Sequence, residues 1–439
     1  MEKIHIITLG CSKNTVDTEY MLGLLQSEYT IESNIEESDV VIINTCTFIN
    51  DAKEESIASI FEAVELKKEG IIKTIVLAGC LSQRYADELV KEIPEIDMFI
   101  GTSNYDEIID ILKKESKVNI EDPSREIAEH IPRVLTESDY YAYVKVSEGC
   151  DNRCTYCIIP SVRGRHRSRR IENILEEVTA LTKQGISEII IIAQDTSKYG
   201  IDLYGKKMLH QLLKEIFEIA GVKWIRVHYI YPEDFYDDLL EEFASNKKLL
   251  NYFEIPIQHI NDKVLKRMNR KTNKAEIIGL IERIRAKIPD ATIRTTLIVG
   301  FPGETEDQYL ELKKFVEATN FDRLGVFAYS EEEDTPAYKL TGKISEETKE
   351  LRRDELMMIQ QTITFNKNKE LIGSSIECIV DSLIDENQYM GRTYMDSPDI
   401  DGVIYFESLR PLNPGDVVTV KVSDYIEYDL IGVCDESSK

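Results

Sequence analysis

Three cysteines at spacing C-x3-C-x2-C, Cys150, Cys154 and Cys157, directly follow the apolar run Tyr143–Val146 and a glycine, Gly149. Three thiolates on so short a loop can face one point, as an iron–sulfur cluster requires. A cubane has four irons, so three ligands leave one iron open to a small molecule, by the logic that separates catalytic from structural metal sites. Other readings of the residues are a zinc loop lacking its fourth ligand or three unrelated buried thiols. Against them, the spacing is tight and no His or Cys stands at zinc-finger distance.

A second trio is spread through the first third of the chain. Strand-like runs Lys3–Gly10, Asp39–Thr45 and Thr74–Gly79 are each followed at once by a cysteine: Cys11, Cys46 and Cys80. One buried Cys after a strand is ordinary. Three of three in a βαβαβ pattern put three thiols at one edge of a parallel sheet, where such folds collect ligands. The trio reads as a second 4Fe-4S site, again with an open iron. Cys378 and Cys434 stand alone and read as core residues.

The elements that must position these residues fall into three segments. Residues 1–135 form a parallel α/β domain, with helical periodicity over Glu54–Lys68 among its connections. A polar linker around Glu121–Pro132 leads to residues 136–370. There six strand candidates, Ala142–Val146, Glu188–Ala193, Trp224–Ile230, Tyr252–Ile257, Thr292–Val299 and Asp322–Ala328, alternate with amphipathic helices. Six units suggest a partial (β/α) barrel with its active site at the C-terminal strand ends. Polar residues gather there: Gln194, Asp195, His228, Gln258, His259 and Ser330. The two histidines receive no catalytic role. Residues 371–439 carry short β-rich runs, Ile376–Leu383, Gly402–Phe406 and Val417–Val422, which suggest a small antiparallel β-barrel.

Composition excludes several classes of function. The chain has 439 residues, net charge −27 and eight cysteines. No run approaches the ~18 apolar residues of a membrane span, and there is no signal-peptide pattern at the N-terminus. Cysteines without a secretory signal indicate a reducing compartment, so a cytoplasmic, non-membrane protein is expected. A protein that grips phosphates shows basic excess. Here the last segment alone holds 14 Asp/Glu against 4 Lys/Arg. Such a surface repels RNA and attracts a basic partner. The one dense basic run, Arg163–Arg170, either neutralises a carboxylate of cofactor or substrate or pairs with Glu172, Glu176 and Glu177.

The C-x3-C-x2-C loop with Tyr156 before its last Cys resembles the radical S-adenosylmethionine superfamily. Together with the N-terminal triad and the C-terminal barrel it resembles the methylthiotransferase family over essentially the whole chain. The resemblance implies that Cys150, Cys154 and Cys157 hold the 4Fe-4S cluster that binds S-adenosylmethionine and yields a 5′-deoxyadenosyl radical. It implies that Cys11, Cys46 and Cys80 hold an auxiliary 4Fe-4S cluster carrying the transferred sulfur. One S-adenosylmethionine donates the methyl and a second the radical. It further implies a TRAM domain at the C-terminus and an approach of Gly300, Phe301, Pro302 and Gly303 to the cofactor, although Gly-Phe-Pro-Gly alone is only a turn.

Leu9–Asp17, His228–Pro232 and Pro256–Asp262 resemble the branch that modifies an aspartate β-carbon of a small-subunit ribosomal protein (protein twelve). Transfer-RNA enzymes typically show Gly-Cys-Gln-x-Asn where this chain has Gly10-Cys11-Ser12-Lys13-Asn14. Expected partners are that basic ribosomal protein and a flavodoxin- or ferredoxin-like electron donor, with transfer RNA disfavoured. A transfer-RNA adenosine methylthiotransferase is the nearest alternative. A non-catalytic two-cluster electron carrier is the alternative of another class, and it would need no open iron.

Overall fold

A computed structural model of the chain describes residues 1–114 and 116–435. Six parallel strands form the first sheet: β1 (Lys3–Thr8), β2 (Thr30–Ile31), β3 (Val40–Thr45), β4 (Thr74–Gly79), β5 (Met98–Ile100) and β6 (Val118–Asn119), in the order β2-β1-β3-β4-β5-β6. β3 is buried at every position, as a central parallel strand should be. Thr8 lies opposite Asn44, and Thr45 opposite Gly79. The three central strands therefore end level. Helices α1 (Ser12–Leu25), α2 (Asn50–Lys68) and α3 (Cys80–Glu92) return from that edge.

The expected linker is not a free tether. Arg133 is buried, with Nη1 on Glu177 at 2.7 Å and a further ion pair to Glu19 of α1. Residues 121–140 thus form a strap pinned between the first sheet and the central segment, because a buried guanidinium must find carboxylates.

All six central strand candidates exist. β7 (Tyr141–Lys145), β10 (Glu188–Ile192) and β11 (Trp224–Val227) form one parallel triplet, and β12 (Tyr252–Glu254), β13 (Thr292–Val299) and β14 (Arg323–Ala328) form another. A short antiparallel pair, β8 (Ser147–Glu148) and β9 (Arg167–Ser168), closes the cysteine loop just after β7. The triplets meet where Leu250 N–H donates to Ile225 O and Ile230 N–H to Glu254 O, both at 2.9 Å. The result is a six-stranded partial barrel. β11 and β12 stop earlier than their apolar runs, because Tyr229 (φ 60) and Gln258 (φ 69) turn the chain left-handed.

The C-terminal segment is a closed barrel of β15 (Ser375–Asp385), β16 (Gln388–Thr393), β17 (Ile404–Glu407), β18 (Val417–Ile426) and β19 (Asp429–Cys434). It is not wholly antiparallel as expected: β17 and β19 pair in parallel, which is how the sheet closes. Cys378 and Cys434 are buried in its core.

This small barrel covers the N-terminal strand ends of the partial barrel. Arg392 joins Arg226 on Glu188, each at 2.9 Å, and Asp401 accepts from Tyr252 at 2.7 Å and pairs with Arg294 at 2.5 Å. Asp396 pairs with Arg323, and Ser397 Oγ sits 3.0 Å from His228 Nε2. Much of the C-terminal acidity is therefore spent inside the molecule. Asp385, Glu386, Glu407, Asp424 and Glu427 still face outward.

Candidate active site

The level ends of β1, β3 and β4 bring Cys11, Cys46 and Cys80 together. Burial pushes the Cys46 thiol up to about 12, and Cys11 and Cys80 beside it add to the shift. Cys80 moves up for the same first reason, against the opposing positive charge of Arg163. Cys11 is the residue before α1, and Cys80 opens α3. Both sulfurs therefore lie at helix N-termini, where negative charge is favoured. Gly10 (φ +91) makes the approach possible: a Cβ there would stand 2.6 Å from Cys46 Cβ and 2.9 Å from its Sγ.

The second trio is built by a loop tied at several points. Cys150 N–H donates to Gly164 O (3.1 Å), Cys157 N–H to Cys154 O (3.1 Å), and Thr155 N–H to Met268 O (3.0 Å). Asn152 Nδ2 donates to buried Asp195 at 2.7 Å. Burial pushes Cys150 up to about 12 and raises Cys157 as well, with the other thiols of the loop contributing.

Cys46, Cys150 and Cys154 are buried, Cys80 and Cys157 half-buried and Cys11 exposed; thiols gathered in this way gain from giving up protons to a soft metal. Among the described residues no three side chains converge on a single ion. A cubane spreads its thiolates over separate irons, so two loose all-sulfur triads suit it better than they suit one zinc.

The N-terminal domain spans the mouth of the partial barrel and holds both sides of it. On one side, α1 meets β7 through a buried charge cluster. Lys145 Nζ lies 2.5 Å from Asp17 and 2.7 Å from Glu148; Arg163 Nη1 lies 2.6 Å from Asp17 and 3.3 Å from Glu148. Burial pushes Glu148 up, but Lys145 and Arg163 overcome it and hold the carboxyl at about 2. On the other side, Lys53 and Arg84 pair with Glu332 at 2.9 and 3.0 Å.

Arg163 is the physical link between the triads. It follows Cys157 by six residues, yet its charge acts on Cys80 and Cys11. A second link is a cavity of about 190 Å³ lined by Phe48 and Ile49, which follow Cys46, by Tyr156 of the other loop, and by Gln258, Phe327 and Tyr329.

The basic run divides. Arg163 and Arg169 are buried; Arg169 pairs with Glu177 at 2.6 Å, as one reading of the sequence had it, while Arg163 reaches into the other domain. Arg165 and Arg170 are exposed.

Gly300 (φ +71) and Gly303 (φ +77) close the turn after β13, with Gly300 N–H donating to Glu304 at 3.0 Å. The space their missing Cβ atoms leave is taken by Lys349 and Arg267. Phe301 is buried and meets Tyr156 edge-on at 6.5 Å and Tyr329 at 5.3 Å, so Phe301 of the Gly300–Gly303 turn, which also holds Pro302, backs the cluster loop. His228 is satisfied by Ser397; His259 Nδ1 accepts Asn261 N–H at 2.9 Å.

Sequence reasoning missed several residues here. Arg270 is buried over the Tyr231 ring (4.4 Å) with its charge near Cys154. Lys145 lies within an apolar strand, and Lys13 is buried two residues after Cys11. The signal was present for Lys145: a lysine among Tyr143, Val144 and Val146 calls for a buried partner.

Known families match each of the three segments. The radical SAM superfamily matches residues 144–316, uncharacterized protein family UPF0004 residues 3–101, and the TRAM domain residues 372–434. Ribosomal protein uS12 methylthiotransferase RimO of Clostridioides difficile (strain 630) is 49% identical, covering 98% of each chain. The protein of that name from Clostridium tetani is 47% identical, covering 100% of this chain and 99% of its own. Among solved structures, the radical S-adenosylmethionine methyltransferase TsrM from Kitasatospora setae superposes with a TM-score of 0.56 at 13% identity. The match covers 76% of this chain and 77% of that one and is a likeness of fold.

Proposed function

The chain belongs to the family of ribosomal protein uS12 methylthiotransferase RimO, and on that premise we propose that it adds a methylthio group to the β-carbon of an aspartate of uS12. The observation that carries this reading is the pair of cysteine triads at one barrel mouth, with Arg163 of the second loop reaching Asp17 and Asn14 after Cys11, and a cavity lined by Phe48 near Cys46 and by Tyr156 beside Cys157. In this proposal Cys150, Cys154 and Cys157 hold one 4Fe-4S cluster and Cys11, Cys46 and Cys80 the other. When bound, the clusters and S-adenosylmethionine supply the radical and the sulfur.

The chain's own residues do the rest. Asp17, Lys145, Glu148 and Arg163 lock the two domains in one relative position. Gly300, Phe301, Pro302 and Gly303 approach S-adenosylmethionine beside the cluster loop, which Phe301 stiffens by packing on Tyr156. Phe48, Phe327 and Tyr329 line the cavity with apolar surface that excludes water from a radical reaction. The outward acids of the C-terminal barrel favour a basic protein over a transfer RNA. A flavodoxin- or ferredoxin-like donor and a cytoplasmic location complete the proposal, as does the division into residues 1–135, 136–370 and 371–439. No helix among the described residues is long and apolar enough to cross a membrane.

The test is anaerobic reconstitution followed by mass spectrometry of uS12. Replacing Cys150, Cys154 and Cys157 with Ala is expected to leave about four irons and abolish reductive cleavage of S-adenosylmethionine. Replacing Cys11, Cys46 and Cys80 is expected to spare cleavage and stop thiomethylation. Cleavage undiminished in the first variant defeats the assignment.

A further inference from the structure

We propose that Lys13 anchors the side-chain carboxylate of the substrate aspartate, holding the carbon to be modified beside the Cys11, Cys46 and Cys80 triad; this rests on uS12 being the substrate. Lys13 is 5% exposed, in the first turn of α1. Its ammonium lies 3.2 Å from the centroid of the Tyr229 ring and makes no hydrogen bond or ion pair among the described residues.

That sets it apart from the buried cations around it. Lys145, Arg163 and Arg169 each hold a carboxylate at 2.5–2.6 Å. A buried ammonium with no carboxylate paired to it is unfavourable, and an aromatic face offsets only part of that. Of the acidic groups that face Lys13, Cys11 belongs to the triad itself and the two carboxylates are committed elsewhere. Glu148 is taken by Lys145 and Arg163. Glu254 accepts Tyr229 N–H at 3.3 Å and lies 3.9 Å from Arg294 and 3.7 Å from His228. The positive φ of Tyr229 (60°), a strained conformation for a bulky residue, is what turns its ring under the ammonium.

The geometry fits the chemistry of the substrate. The β-carbon of aspartate is bonded directly to its carboxylate carbon, so a cation that holds the carboxylate fixes the reacting carbon about one bond away. Lys13 is two residues from Cys11, on the side of the mouth where the β1, β3 and β4 ends converge. A compact ammonium suits a single carboxylate. A purine ring offers no such anion, so the same residue discriminates against adenosine.

The experiment is a double-mutant cycle on binding, run with the reconstituted full-length protein and without reductant. Wild type and Lys13→Met are titrated with uS12 and with uS12 whose target aspartate is changed to asparagine. The wild type is expected to bind the aspartate form at least about tenfold tighter, and Lys13→Met to bind both forms within about threefold. Lys13→Arg, which keeps the charge, is expected to restore part of the preference. Iron content and the melting temperature report whether the variant is intact. Preference unchanged in Lys13→Met overturns the proposal. So does loss of about half the iron, since Lys13 would then be the counter-ion of the N-terminal cluster. A wild type that binds neither form brings down the uS12 reading itself, and a wild type that binds both equally brings down only the anchor.

Discussion

Asp17→Asn is the perturbation that most directly probes how the two triads are held in register. Asp17 accepts from two buried cations of the barrel, Lys145 at 2.5 Å and Arg163 at 2.6 Å, across a domain boundary. Asparagine keeps the shape but removes the charge and turns an N–H toward a donor. Breaking a buried ion pair from one side typically costs about 3–5 kcal/mol. Glu148 stays at 2.7 Å from Lys145 and 3.3 Å from Arg163, so one anion still serves both cations. The lower end therefore applies: about 3 kcal/mol, roughly 150-fold in the docking equilibrium. Because the bonds run from α1 to the barrel, the loss is local undocking. Native-state hydrogen exchange is the assay. Slow amides of Ser12–Leu25 are expected to exchange about 100-fold faster, while those of Thr292–Val299 hardly change. Adding Lys145→Met removes one of the stranded cations, so the double variant should cost less than the sum of the singles. Acceleration under about fivefold, or strict additivity, refutes the reasoning.

The other predictions are simpler. Gly10→Ala forces a Cβ to 2.6 Å from Cys46 at a φ of +91°; the expected strain is about 1–3 kcal/mol, with loss of the N-terminal cluster's iron on reconstitution, and full iron content counts against the close approach. Glu188→Gln strips the shared anion from Arg226 and Arg392 and is expected to lower stability at neutral pH by about 3–5 kcal/mol in urea titrations. Burial pushes the Glu188 carboxyl up, but the two guanidiniums more than offset it and leave it below the usual range. A carboxyl lowered on folding contributes stability that is present above its ordinary range and lost as pH falls through the folded value. The gap between wild type and Glu188→Gln should therefore shrink in acid; a gap that widens contradicts the pairing.

Residue order alone determined the long central strands and the thiols that follow three of them, but not the short or edge strands such as β2, β5, β6 and β16. Runs rich in β-branched and aliphatic residues, such as Val40–Ile43 and Leu297–Val299, announce buried parallel strands, and a Cys directly after the strand's end, as at Cys46, is placed by the strand itself. The same local logic gave the six barrel strands, missing only where Tyr229 and Gln258 turn left-handed. What it could not give is which charges meet. Asp17 and Lys145 are 128 residues apart, and Glu188 and Arg392 are 204 apart. Periodicity reports which face of an element is apolar, but it carries no information on which distant partner neutralises a buried charge. The acidic C-terminal segment looked like a surface for a partner, and tertiary structure turned Asp396 and Asp401 inward onto Arg323 and Arg294. Lys13 shows the reverse case: its position beside Cys11 is plain in the sequence, and only the fold leaves it buried with no carboxylate. Hydrophobic pattern is local, whereas the pairing of desolvated charges is settled by which elements the finished core presses together.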